Sequence, residues 1–128
     1  DIIVPVGTPL CAPLKGGVVE SGYEEGEGNY GAFVLLRHDD QNIIPFYSMY
    51  GHLNRQHLPE VGQTFKAGEI FSEIGDFSEN GNWFHHTHLQ IITEKGRAEG
   101  YLSKGYCTEQ DLIGMNDLCP SPVPLFRR

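Results

Sequence analysis

The sequence predicts a mainly β fold built as an antiparallel sheet or sandwich, with a short C-terminal helix and a Pro-rich tail. Two observations carry this. Sixteen glycines and eight prolines punctuate short runs of β-branched and aromatic residues, the pattern of short strands joined by tight turns. Helical periodicity stays weak until the tail. With 128 residues and 39% hydrophobic content, one domain can bury a core without disulfides.

Pro9, Pro13 and the pair Gly16-Gly17 frame a turn-rich opening, and the first candidate strand covers 17–21. Residues 24–30 (EEGEGNY) read as a polar, glycine-rich hairpin loop, since glycine supplies the backbone angles that tight turns need. The next strand, 32–38, is largely apolar and ends in the polar cluster Arg37-His38-Asp39-Asp40, as a buried strand running out to a turn would. Further strands are expected at 43–50, 70–74 and 86–93. From Glu94 the composition shifts: Gly96, Gly100 and Gly105 space a linker-like stretch ahead of a helix expected over 108–116. Thr108 is its candidate cap, with Asp111 completing a capping-box-like pattern. Residues 119–124 (CPSPVP) predict an extended surface tail, because proline lacks an amide donor. The expected division is a β core over 1–94 and a C-terminal extension over 95–128, packed on that core or trailing from it.

Nine Lys and Arg against seventeen Asp and Glu give a net charge of -8 with no basic run, which argues against nucleic acid as a partner. No apolar stretch is long enough to span a bilayer, so no membrane insertion is expected. Cys11, Cys107 and Cys119 are odd in number and lack a CxxC spacing; they are read as small buried or half-buried thiols.

Three of the six histidines sit at His85, His86 and His88. If a strand includes them, His86 and His88 leave the same face while His85 and Thr87 point away. Two converging imidazoles suit zinc, whose catalytic sites use three protein ligands and an open position. His52 ends an aromatic-rich strand where it gives way to a loop, a common place for catalytic groups. His38 and His57 have no such setting and are read as structural or surface residues. Tyr50, two residues before His52, is read as a core residue or as a support for His52.

Several segments taken together resemble the lysostaphin and LytM-type zinc endopeptidase family. They are Asp1-Ile2, Gly7-Thr8-Pro9, Ala12-Pro13, Gly17-Val18-Val19, Tyr30-Gly31, Tyr50-Gly51-His52-Leu53, Val61-Gly62-Gln63, Ala67-Gly68-Glu69 and His86-Thr87-His88-Leu89. The resemblance implies a fold of the duplicated hybrid motif type, with Asp1 and His88 as zinc ligands and His52 and His86 as catalytic histidines. It implies hydrolysis of peptide cross-links of the peptidoglycan type and a place in the cell envelope. Zinc in such a site polarises the scissile carbonyl, one neutral imidazole accepts a proton from water, and the other steadies the oxyanion.

The family's third ligand is a histidine four residues before the aspartate, expected upstream of Asp1 in the parent protein. The tail from Glu94 is similar to a version of this domain fused to an aminotransferase of the pyridoxal phosphate class, a context that implies the cytoplasm instead. Two alternatives stay open beside the peptidase. One is a non-catalytic, metal-poor binding module in a larger multidomain protein. The other is a carrier or phosphotransfer domain in which a histidine accepts phosphate.

Overall fold

A computed structural model describes residues 1–127. Seven strands form in chain order: β1 (Pro9–Cys11), β2 (Gly16–Glu24), β3 (Gly31–His38), β4 (Phe46–Leu53), β5 (Thr64–Phe65), β6 (Ile70–Glu73) and β7 (His88–Thr93). They are followed by two short helices, α1 (Glu94–Ala98) and α2 (Met115–Leu118). Five strands make one sheet in the order β5-β2-β3-β4-β7, and β1 with β6 makes a second. Every pairing is antiparallel, as the turn-rich sequence predicts.

The apolar run in β3 is explained by what covers its two faces. Val34 and Leu36 enter a core with Ala12, Val18, Tyr50, Leu53 and Phe71, whereas Leu35 enters another with Tyr47, Met49, Ile92, Tyr101 and Leu118. Alternate side chains of one strand thus feed opposite cores. Each fully buried aliphatic side chain contributes about 1.5–3 kcal/mol of transfer free energy. Tyr50 is buried and packs on Phe71 with ring centroids 4.8 Å apart, so it is a core residue.

Several boundaries differ from expectation. The strand expected at 43–50 forms at Phe46–Leu53, because Pro45 precedes it and the aromatic residues pair with Arg37 and His38. The strand expected to start at His86 starts at His88. The short strands β1 and β5 carry little apolar alternation and were not anticipated. Glu94–Ala98 is helical rather than a linker: Thr93 Oγ1 accepts the Gly96 amide at 2.9 Å and starts the turn.

No helix spans 108–116. The capping bonds do form, with Asp111 Oδ2 accepting from Thr108 N at 2.8 Å and from its hydroxyl at 2.9 Å. The helix does not propagate, because Gly114 turns left-handed at φ 83° and α2 begins only after it. The tail also departs from an extended form, since Val123–Phe126 closes a 3-10 turn in whose first turn proline is tolerated. The three cysteines are free, with Cys119 half-buried and the other two exposed. Among the described residues no helix is long and apolar enough to cross a membrane.

Candidate metal and hydrolytic site

The four residues singled out from the sequence line one cleft of about 360 Å³, together with Tyr30, Trp83, Phe84 and Tyr106. His52 arrives there through a break in the pleat. Ala32 pairs with Leu53 and Val34 with Tyr50, so Gly51 and His52 of β4 face only Phe33 of β3, a bulge that re-aims the strand. His52 adopts a left-handed backbone at φ 66°, a conformation costing about 1–3 kcal/mol for a residue with a Cβ. Two main-chain bonds hold it there, His52 N to the Tyr30 carbonyl at 2.8 Å and Gly75 N to the His52 carbonyl at 3.1 Å. The break separates Tyr50, which enters the core, from His52, which enters the cleft.

Asp1 reaches the site because the Ile2 and Thr87 main chains exchange hydrogen bonds of 2.9 and 3.0 Å. Thr87, fully buried, also donates its hydroxyl to the Gly51 carbonyl at 3.0 Å. It therefore fixes β7 against β4 at the level of the histidines.

Asp1 Oδ1 lies 3.1 Å from His88 Nδ1 and 3.9 Å from His86 Nε2. The rings of His52 and His86 are 4.4 Å apart, and those of His52 and His88 are 6.5 Å apart, edge to face. Phe84 stacks on His86 with centroids at 4.5 Å. His52 Nδ1 lies 2.7 Å from the Asn80 carbonyl and His86 Nδ1 2.7 Å from the Phe84 carbonyl. A carbonyl only accepts, so each Nδ1 carries the proton and each Nε2 keeps a lone pair.

Burial keeps these rings uncharged. It pushes the His52 imidazole down to about 4, against the pull of the Asn80 carbonyl and helped by the neighbouring His86 and His88. Burial likewise lowers His86 and His88. Neutral imidazoles are the form that bases and metal ligands require.

Asp1 Oδ1 and His88 Nδ1 are the donors that suit a metal ion. Their 3.1 Å separation is close to the edge of a tetrahedron with metal bonds of about 2.0–2.2 Å. They fit two ligands of a three-ligand site, and among the described residues no group of three His, Cys, Asp or Glu is arranged to hold a metal ion.

His38 is buried and structural, with Nδ1 3.0 Å from the Lys15 carbonyl and Nε2 2.7 Å from Ser48 Oγ. His57 is exposed, 2.8 Å from Glu73 Oε1. Sequence reasoning missed Asn80, whose buried amide exchanges two 2.9 Å bonds with the Trp83 main chain and shapes the loop over His52. It also missed Tyr30, whose buried hydroxyl has no partner among the described residues and whose pKa burial raises to about 12, with Glu24 and Cys119 adding to it. Asn80-Gly81-Asn82 reads only as a turn tract, and Tyr30 enters the sequence reading only through the Tyr30-Gly31 motif, with no role in the site.

Known proteins match this chain in sequence and fold. The profile of Peptidase family M23 matches residues 1–99. The chain is 36% identical over 75 residues to the peptidoglycan DD-endopeptidase ShyC of Vibrio cholerae, covering 59% of this chain and 16% of that protein. It is 38% identical over 76 residues to an uncharacterized metalloprotease of Haemophilus influenzae, covering 59% of this chain and 14% of that one. The match thus spans about a sixth or less of each of these relatives. A mutant catalytic domain of the prophage-encoded M23 protein EnpA from Enterococcus faecalis superimposes with a TM-score of 0.56 at 25% identity, covering 72% of this chain and 64% of that one. With the profile spanning most of its length, this chain belongs to peptidase family M23, as its LytM-type motifs imply.

Proposed function

We propose that this domain is a zinc-dependent metalloendopeptidase that hydrolyses peptide cross-links of the peptidoglycan type, with Asp1 and His88 as metal ligands and His52 and His86 as catalytic groups. The observation that carries the reading is the meeting of two lone-pair donors, Asp1 Oδ1 and His88 Nδ1 at 3.1 Å, beside two imidazoles held neutral. The printed name of ShyC, a peptidoglycan DD-endopeptidase, supports the substrate class.

Zinc, when bound, supplies Lewis-acid polarisation of the scissile carbonyl and makes the attacking water more acidic. The protein's own groups then do the rest. His86 Nε2, 3.9 Å from Asp1 Oδ1, is placed to accept a proton from a water beside the ligand pair and to return it to the leaving amine. His52 Nε2 is bare at neutral pH, so His52 orients that water by accepting a hydrogen bond. Trp83, Phe84 and Tyr106 wall the cleft and hold a peptide strand against it.

The test is zinc content and cleavage of cross-linked peptidoglycan fragments by the full-length protein. One zinc per chain and release of new amino groups are expected. Cleavage that survives both chelation and His86→Ala would sink the reading. A second reading, a non-catalytic peptide-binding module in a larger protein, draws on the two-donor set, since no third donor joins it among the described residues. A natural protein that binds such fragments without zinc and without cutting them would mark it.

A further inference from the structure

His88 and Gln90 are i and i+2 on β7, so their side chains leave one face of the sheet. Gln90 Oε1 lies 3.2 Å from His88 Nε2. Which end of the amide faces the imidazole is set from behind. Gln90 Nε2 donates to the Tyr101 carbonyl at 3.2 Å and to Cys119 Sγ at 3.1 Å. A flipped amide would aim its oxygen at a carbonyl oxygen. With Oε1 facing the ring, only a proton on His88 Nε2 completes the contact.

The neutral ring then has no proton on Nδ1. Its lone pair meets Asp1 Oδ1 at 3.1 Å, and two acceptors at that distance repel unless a cation lies between them. The opposite tautomer, with Nδ1–H donating to Asp1, would suit the metal-free pair better. It would also hide the donor atom from a metal. Gln90 opposes that tautomer.

We infer that Gln90 is a positioning residue: it fixes His88 in the Nε2–H form that presents Nδ1 to a metal, and the C-terminal extension fixes Gln90 in turn. The metal half of this inference rests on the ligand role proposed above for His88. Both anchors, Tyr101 and Cys119, lie beyond residue 99, where the family profile ends. Tyr101 is buried with Leu35, Tyr47, Met49, Ile92 and Leu118, and Cys119 N is tied to the Met115 carbonyl at 2.7 Å. The extension is thereby part of the site's support. Outer partners that set a ligand histidine's tautomer are worth about 10–100-fold in metal affinity.

The experiment compares the wild-type protein with Gln90→Met and Gln90→Glu by two readouts. The first is the His88 tautomer in zinc-free protein, read from imidazole nitrogen shifts in mildly alkaline buffer. The second is zinc affinity, measured by competition with a chelator. Wild type and Gln90→Glu are expected in the Nε2–H form, since the carboxylate offers the ring only acceptors, although Gln90→Glu gives up the bonds to Tyr101 and Cys119. Gln90→Met is expected to move to Nδ1–H and to lose about 10–100-fold in affinity. An unchanged tautomer with unchanged affinity in Gln90→Met overturns the inference, as does an Nδ1–H ring in the wild type. If Gln90→Met loses its folded spectrum, an Nδ1–H ring in Gln90→Glu overturns it equally. Wild-type protein that takes up no zinc would instead refute the metal reading itself, and the zinc-free tautomer would still decide the role of Gln90.

Discussion

The imidazoles of His52 and His86, 34 residues apart in sequence, lie 4.4 Å apart and are tethered the same way, each donating Nδ1–H to a main-chain carbonyl at 2.7 Å. The shared tether leaves two unprotonated nitrogens beside Asp1 and His88. It is a consequence of loop geometry, since both carbonyls, of Asn80 and Phe84, belong to the segment between β6 and β7.

Removing one of these bases should affect turnover more than metal content. His86→Ala is expected to lower kcat by about 10²–10⁴-fold, the usual worth of a positioned base, while zinc content stays near that of the wild type. Steady-state kinetics with elemental analysis of the same sample checks both halves.

The pair proposed as metal ligands should behave in the opposite way. His88→Ala and Asp1→Ala each remove one donor of the 3.1 Å pair, so zinc should be lost first and activity with it. Added zinc should restore activity to neither variant, since each keeps only one donor of the pair.

Acid should destabilise the metal-free fold before carboxylates titrate. His52 stays neutral down to about pH 4 in the folded chain, against an ordinary value of 6.5. Above pH 6.5 both states are neutral and the full stability is present. Between 6.5 and about 4 the unfolded chain takes a proton that the folded chain refuses, so stability falls. At about 1.4 kcal/mol per pH unit, His52 accounts for a loss of about 3 kcal/mol. Buried His38, also lowered by desolvation, acts in the same direction. Denaturant midpoints measured from neutral pH to pH 4 should show this decline, and a flatter one in His52→Gln.

The docking of the extension has its own probe. A Cβ on Gly96 would stand 2.2 Å from the Leu118 carbonyl oxygen and 3.2 Å from the Ile92 side chain, so α1 and α2 meet only because that residue is glycine. Gly96→Ala is expected to cost about 1–3 kcal/mol, as overpacking does, although alanine favours helix. A gain in melting temperature would contradict the packing described.

The antiparallel β class was legible because glycine, proline and β-branched residues report local backbone preference. The run 32–38 was legible because both its faces are buried. Asp1, His52, His86 and His88 were found through motif resemblance and the i, i+2 rule, and the structure brings all four to one cleft. What was not legible depends on contacts distant in sequence. Nothing near His52 announces a left-handed backbone, since the Tyr30 carbonyl that holds it comes from the loop leading into β3. Thr108 and Asp111 show a local signal that was read correctly and then overruled: the cap bonds exist, but Gly114 stops the helix they would have started. Nothing near Gln90 in the sequence singles it out, because its partners, Tyr101 and Cys119, arrive from the extension.

The Ile2–Thr87 exchange gives the site two parts with different mechanical character. His52 and His88 ride on the sheet and its bulge and His86 on the end of the loop before β7, whereas Asp1 is delivered by a segment clasped through two main-chain bonds. Such a clasp can fray at far lower free energy than the sheet can unfold. An ion shared between Asp1 and His88 would then act as a rivet, joining the fraying segment to the rigid body. The amides of Ile2 and Thr87 are the places where that rivet would be felt as slowed hydrogen exchange.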